Sequence, residues 1–339
     1  MNTKLTYLYL YLLSIAACLT CSCTSDDPSD VLDAAKADEM ILAVGELSRS
    51  SMTTDDNFRS YPFAIYGDMK FKTHDRSVIF DHTPVTYSND GWGYGATQYW
   101  FPQHEYSFVA FHPAVTGAPA TEYSDSRLSF KYTIPDNFAS TLDLMVATHR
   151  RFYEEQNLSS KTTPVTLNFW HILSRVNFMI ENAGAADRMR VKKIVLEGVN
   201  RTGTFAITPA ALSADSRQTD DYNYSWSGIS NQGTITANVD VDILENKQQP
   251  LFPDDNALFM IPQPDNKDVR VKITYTLYDS GSQPEELTLT AEAPIGGWEP
   301  GKFYTYATAI SEITKEIYLT VSVKPWHPEK NAGITVPES

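Results

Sequence analysis

The chain has 339 residues, with 27 basic against 42 acidic side chains and a net charge of −15. That balance disfavours nucleic acid and anionic lipid surfaces as partners, since both are bound through basic patches. It contains 19 Tyr and 16 Phe but few Ala-Leu-Glu-Lys stretches, so an all-β class is expected.

In chain order, the first segment reads as an export signal. Lys4 precedes an apolar run from Leu5 to Ala17 that ends in small residues and a cysteine, too short for a membrane helix of about 20 apolar residues. All three cysteines, Cys18, Cys21 and Cys23, lie here, so the remaining body has no thiol for a disulfide, a zinc site or a nucleophile. A cysteine after small residues is a lipid-attachment signature. Ile15-Ala16-Ala17-Cys18 and Ser22-Cys23 compete for it, and Cys23 is preferred, with Cys18 or Cys21 as alternatives. Residues 1–22 are then a lipoprotein signal peptide and 23–37 a solvated tether from the lipid to the body.

From Met40 onward, short runs of alternating apolar residues are separated by turn signals, the pattern of sandwich strands. In the first half they are Met40 to Leu47, Phe63 to Met69, Val78 to Tyr87, Tyr94 to Phe101, Tyr106 to His112, Leu128 to Ile134 and Leu142 to Ala147. In the second half they are Val165 to Ile180, Val191 to Leu196, Phe205 to Thr208, Ala257 to Ile261, Val269 to Leu277, Leu287 to Ala293, Phe303 to Ile310 and Ile317 to Val323. Arg150 to Thr163 is polar and aperiodic, which places a domain boundary near Pro164. The expected organisation is one sandwich over 38–163, a second over 164–326, and a short tail over 327–339.

Two places resist this reading. Val165, Leu167, Phe169 and His171 share one face, while Val176, Phe178 and Ile180 are in the opposite phase, so the chain must bulge or turn near Leu173-Ser174. Ala210 to Leu244 is polar and rich in Ser, Asn, Asp and Gly, and reads as a surface excursion or weak hairpin.

Chemistry-bearing patterns are sparse. Gly91-x-Gly93-x-Gly95 lacks the following helix and third glycine spacing of a phosphate loop, and the metalloprotease and serine-hydrolase motifs are absent. The adjacent carboxylates Asp55-Asp56, Glu154-Glu155, Asp220-Asp221, Asp254-Asp255 and Glu285-Glu286 point to opposite sides of a strand and read as solvated charges. Asp265, Asn266 and Asp268 offer oxygen ligands but lack the glycine and distal glutamate of a calcium loop. His171 shares the apolar face of Phe169 and reads as a hydrogen-bonded, partly buried histidine. No enzyme, cofactor or metal is expected. Trp92, Tyr94, Tyr99 and Trp100 crowd a glycine-rich segment, and Trp92 is the candidate for contact with a sugar ring or protein partner.

Phe63-Ala-Ile-Tyr-Gly67, Gln98-Tyr-Trp-Phe101, Tyr106-Ser-Phe-Val-Ala-Phe-His-Pro113, Asp143-Leu-Met-Val-Ala147, Leu167-Asn-Phe-Trp-His-Ile-Leu-Ser-Arg-Val176, Phe259-Met-Ile-Pro-Gln263, Trp298-Glu-Pro-Gly-Lys-Phe-Tyr-Thr-Tyr306 and Val321-Ser-Val-Lys-Pro-Trp326 follow one another along the chain. This order resembles that of fimbrillin-like proteins. The resemblance implies two tandem transthyretin-like, Ig-like Greek-key β-sandwiches used as type V pilus subunits or accessory parts, exported as outer-membrane lipoproteins. The acidic Asp26-Asp27 tract behind Cys23 resembles that of surface-exported lipoproteins in the bacteria that carry them.

The mechanism implied is strand exchange. A protease cutting after arginine removes an N-terminal strand, and the groove accepts a strand from another pilin subunit by β-augmentation. Carried onto this chain, the strand is the one holding Met40, Leu42 and Val44, and the processing site is Arg49. After Trp326 only Ile334 and Val336 alternate, a poor donor strand, which favours a tip, anchor or accessory role. The alternatives are a non-polymerising surface lipoprotein that binds glycans or host proteins, and a hydrolase with an unrecognised site.

Overall fold

The computed structural model describes residues 39–47, 58–154, 164–252, 257–279, 283–294, 296–314 and 316–326. Among them the protein is built almost wholly of strands in three sheets. The strands are β1 (Leu42–Leu47), β2 (Phe63–Phe71), β3 (Ser77–Ser88), β4 (Gly91–Tyr94), β5 (His104–His112), β6 (Thr121–Ser124), β7 (Arg127–Thr133), β8 (Met145–Tyr153), β9 (Val165–His171) and β10 (Ser174–Asn182). They continue as β11 (Arg188–Pro209), β12 (Gln218–Thr219), β13 (Tyr222–Leu244), β14 (Gln248–Pro250), β15 (Leu258–Met260), β16 (Arg270–Tyr278), β17 (Glu285–Glu292), β18 (Lys302–Ile310) and β19 (Thr320–Pro325).

The first sheet runs β1-β9-β8-β5-β2-β3-β4, with β12 added to β8. The second runs β14-β10-β18-β19 with β15 on β10, and the third β17-β16-β11-β7-β6 with β13 on β11. The first sheet nearly closes on itself, because β1 lies beside β9 while Glu39, just before β1, bridges to Tyr99 in the segment that follows β4.

Alternation along the central strands explains the near-continuous apolar runs of β2, β5 and β8. Phe63, Ile65, Phe108, Ala110, Met145 and Ala147 point into a core inside the curled first sheet. Their neighbours Ala64, Tyr66, Val109, Phe111 and Val146 point the other way, into a larger core shared with the second and third sheets. A sheet buried on both faces needs apolar residues at every position, whereas one-sided strands such as β7 alternate; β7 buries Leu128, Phe130 and Tyr132 and exposes Arg127, Lys131 and Thr133.

The layers therefore do not part at Pro164, as the polar segment before it suggested. β9, which follows Pro164, completes the first sheet, while β6 and β7, well before it, pair into the third through β11. The change of sheet comes at the predicted phase switch. His171 still pairs with Met145 in the first sheet, and Ser174 already pairs with Met260 in the second. Arg150 to Tyr153, the start of the segment expected to be a linker, are instead the end of β8, paired with β5; the reversal of side-chain phase marked the crossover.

The stretch expected to be a surface excursion or weak hairpin forms, from Tyr222, the second arm of the longest hairpin among the described residues. β13 pairs with β11 from Tyr222↔Pro209 to Leu244↔Arg188, through three register shifts. Its signal is visible as Ile235, Ala237, Val239, Val241 and Ile243 alternating with polar residues, obscured by Ser, Asn and Asp on the solvent face. At the shift between Glu197 and Val199, Gly198 has φ +75°, and a Cβ there would lie 2.2 Å from the Asp268 carbonyl oxygen. Only glycine meets both demands. The run Tyr94 to Phe101 does not form a strand: β4 ends at Tyr94, and Trp100 is buried from a loop.

Candidate functional site: the closing strand β1

β1 is the stave that closes the curled first sheet. It runs parallel to β9, with Leu42 opposite Val165, Ala43 opposite Thr166 and Val44 opposite Leu167. The Val165 amide donates to the Ile41 carbonyl at 2.8 Å. On the other side the Met40 amide donates to the Gln98 carbonyl at 2.8 Å, and the Tyr94 hydroxyl donates to the Met40 carbonyl at 2.5 Å. Burial raises the pKa of that hydroxyl, keeping it a donor across the ordinary pH range.

The side chains of this strand divide by face. Met40 and Leu42 are 1% and 4% exposed and pack with Phe80, Trp100, Phe108, Val165, Leu167 and Phe169. Each such side chain contributes roughly 1.5–3 kcal/mol through burial. Ala43 and Gly45 lie on the outer face, beside Thr166 and Asn168. Gly45 is outside the left-handed region but lies where the register of β1 on β9 shifts, between Val44 and Leu47; a Cβ on it would meet Asn168 Oδ1 at 2.2 Å and Thr166 Cγ2 at 2.7 Å.

Asn168 stands at a fork. β8 and β9 are paired at Met145↔His171 and Val146↔Trp170, after which β8 takes β12 as neighbour, with Thr219 opposite Arg150. Asp220, next after β12, fills the gap. It accepts from Asn168 Nδ2 at 3.0 Å, lies 2.7 Å from His149 Nδ1, and receives the Thr148 hydroxyl on its carbonyl at 2.9 Å. The Asp220-Asp221 pair, read from sequence as solvated loop charge, thus supplies a bridging carboxylate. Sequence spacing carried no sign of it, because its partners are some 50 to 70 residues away.

Trp92, the expected ligand contact, is half-buried on β4. Its ring makes edge contacts with Phe58 at 5.6 Å and Tyr87 at 5.2 Å and a tilted contact with Phe63 at 5.1 Å. His171 is fully buried and meets Asp143 Oδ1 at 2.7 Å, as a hydrogen-bonded histidine should. Asn266, one of the oxygen ligands considered for calcium, is turned inward and accepts from the Gln263 amide. Among the described residues no group of three or more His, Cys, Asp or Glu is arranged to hold a metal. Arg49, Cys18, Cys21 and Cys23 lie outside the described residues.

At the far end of the chain, β19 is the outer strand of the second sheet, on β18. Val321 and Val323 stand opposite Tyr306 and Tyr304, yet remain 39% and 50% exposed. Trp326 fastens this end. It stacks on His171 with ring centres 3.8 Å apart and planes 1° apart, and its amide donates to the Gly301 carbonyl at 2.7 Å.

Residues 48–326 match the family described as fimbrillin-like. Among solved structures, the chain is similar to a fimbrial protein from Bacteroides vulgatus, with a TM-score of 0.56 and 15% identity over 85% of this chain and 99% of that one. A protein described as a cell-adhesion protein from Bacteroides uniformis aligns with a TM-score of 0.48 and 14% identity over 85% and 99% of the two chains. No curated protein matches the chain. The family is one of structural and adhesive subunits rather than enzymes. With the match covering every strand from β2 to β19, the chain belongs to the fimbrillin-like family.

Proposed function

We propose that this fimbrillin-like pilus and adhesion subunit assembles by exchanging β1 for a strand of another pilin subunit. The observation that carries the reading is the split character of β1. It is a short strand, parallel to its neighbour, whose Leu42, with Met40 just before the strand, nevertheless closes a core of aromatic rings. Loss of such a strand uncovers the apolar row Val165, Leu167 and Phe169 together with the backbone edge of β9, and an edge beside an open core recruits another strand.

Within this reading the two cores are those of two transthyretin-like Greek-key sandwiches. Cleavage after Arg49 frees β1, and Cys23, or else Cys18 or Cys21, carries the lipid that holds the precursor at the outer membrane. β19 is already committed to β18, and Trp326 stacks on His171, which leaves that segment unavailable as a donor strand. The reading places the subunit at a tip, anchor or accessory position, where it also meets a host protein or glycan.

Arginine-specific protease applied to the folded lipoprotein tests this directly. The expected result is a new N-terminus at Ser50, followed by strand-exchanged ladders resistant to mild denaturant. An uncut segment through Leu47 after exhaustive digestion, with no ladders under any processing condition, would sink the reading. Mass spectrometry of the precursor identifies the lipidated cysteine in the same experiment.

A further inference from the structure

We propose that Asn168 and Thr166 act as a size gate on the β1 seam, so that a strand lying against β9 must present glycine at the position Gly45 holds. The proposal rests on the strand-exchange reading and specifies the partner. The strand accepted has large apolar residues at alternate positions followed at once by glycine, as in Met40-x-Leu42-x-Val44-Gly45.

The gate is a matter of distances and of what holds them. A Cβ at position 45 would overlap Asn168 Oδ1 at 2.2 Å and Thr166 Cγ2 at 2.7 Å. The amide oxygen is the end of a side chain and would normally swing aside. Here its own amide nitrogen is tied to Asp220 Oδ2 at 3.0 Å, and Asp220 is held in the fork by His149 and Thr148. His149 is 3% exposed and the Asp220 side chain 34% exposed, so this anchor is held by its hydrogen bonds rather than by burial. Thr166 is β-branched and stiff at χ1, so its methyl does not turn away without cost. The apolar positions of a strand set how strongly it sits on the core. The gate sets which strands lie flat enough to pair, and so acts through exclusion.

β19 fails the rule, although it offers alternating apolar residues. Val321-Ser322-Val323 is followed by Lys324-Pro325, with a long side chain where glycine is required and a proline that lacks a ladder donor. The seam thereby rejects the exposed outer strand of a second copy.

Because Gly45 lies at the register shift of β1, rescue by a second change, rather than the sign of one substitution, separates a gate from an ordinary bulge glycine. Replacing glycine by alanine where the backbone is unstrained stabilises a protein by restricting the unfolded chain. In the intact chain, Gly45→Ala is expected to do the opposite and to speed hydrogen exchange of the Leu42 to Val44 amides at least tenfold. Adding Asn168→Ala with Thr166→Ser should restore the slow exchange. Slower exchange in Gly45→Ala, or no restoration, would overturn the gate.

The partner rule is tested on the arginine-cleaved full chain with two labelled peptides, Met40 to Leu47 as it stands and the same peptide with Gly45→Ala. Uptake of the glycine peptide at least tenfold over the alanine peptide is expected, with the preference lost in the Asn168→Ala Thr166→Ser chain. Equal uptake by the unmodified chain would refute the gate. Uptake of neither, with the exchange results as expected, would refute strand exchange while leaving the gate as a property of β1 itself.

Discussion

The Ser126 hydroxyl reaches both oxygens of the Asp68 carboxylate, at 3.0 and 2.8 Å, and in doing so joins two sheets. Asp68 belongs to β2 of the first sheet, and Ser126 to the turn between β6 and β7 of the third. That turn holds Asp125 and Ser126 at positive φ, 50° and 61°. Tyr123 donates to the same carboxylate at 2.7 Å and Arg76 at 2.6 Å, while Arg76 also reaches Glu105 at 2.9 Å. Tyr66 and Thr121 hydrogen-bond in the same region. An anion that is 1% exposed persists only with such a set of donors.

Removing the carboxylate should therefore cost more than removing one donor. Asp68→Ala leaves Arg76 with a lost partner in a half-buried site, and is expected to lower stability by about 3–5 kcal/mol. Ser126→Ala removes one hydrogen-bonding hydroxyl and should cost about 1–2 kcal/mol. Urea unfolding of both variants checks the order; equal effects would mean that Arg76 is stabilised by Glu105 alone.

His112 sets an acid limit. It is 6% exposed and stacks on Phe58 at 4.1 Å, and burial, outweighing the nearby Asp143, lowers its pKa to about 4. The unfolded chain takes up the proton near pH 6.5. Because the folded value is the lower one, the contribution is complete above pH 6.5 and is lost as the pH falls through 4, amounting to about 3 kcal/mol at most. The pH dependence of unfolding between 7 and 4 should flatten in His112→Gln; an unchanged slope would assign it to other groups.

The Trp326 stack on His171 predicts that the last strand is held from its end. Trp326 is 4% exposed, so Trp326→Ala should cost about 3–5 kcal/mol. Exchange of the Thr320 to Lys324 amides should quicken with it, while Trp326→Phe keeps part of the stack and the protection. Unaltered exchange in the alanine variant would show that pairing with β18 suffices.

Trp92 separates packing from recognition. Its contacts with Phe58, Phe63 and Tyr87 mean that Trp92→Ala should lower the melting temperature whether or not a ligand is present. Binding on a glycan array has to be compared at equal folded fraction, and a loss of retention that survives this correction would assign Trp92 a ligand.

Gly198 offers a backbone control. With φ +75° and the Asp268 carbonyl in the way of a Cβ, Gly198→Ala should cost over about 1 kcal/mol, because left-handed strain and the clash add. Thermal unfolding measures it, and a neutral result would mean that the bulge between Glu197 and Val199 relaxes.

Much of this protein is written locally. Alternation in Leu128, Phe130 and Tyr132, the continuous apolar run from Tyr106 to Phe111, and the phase reversal between His171 and Val176 depend on neighbours in the chain, since the pleat has a period of two residues. They gave strands, their burial and a crossover. The order of family segments likewise follows the chain. What tertiary structure alone decided was which strands become neighbours: β9 beside β1, β7 beside β11, and Asp220 in the fork between His149 and Asn168. Pairings between distant segments are set by how two faces of one sheet are shared between two cores, and that balance of burial does not exist until the whole chain has folded.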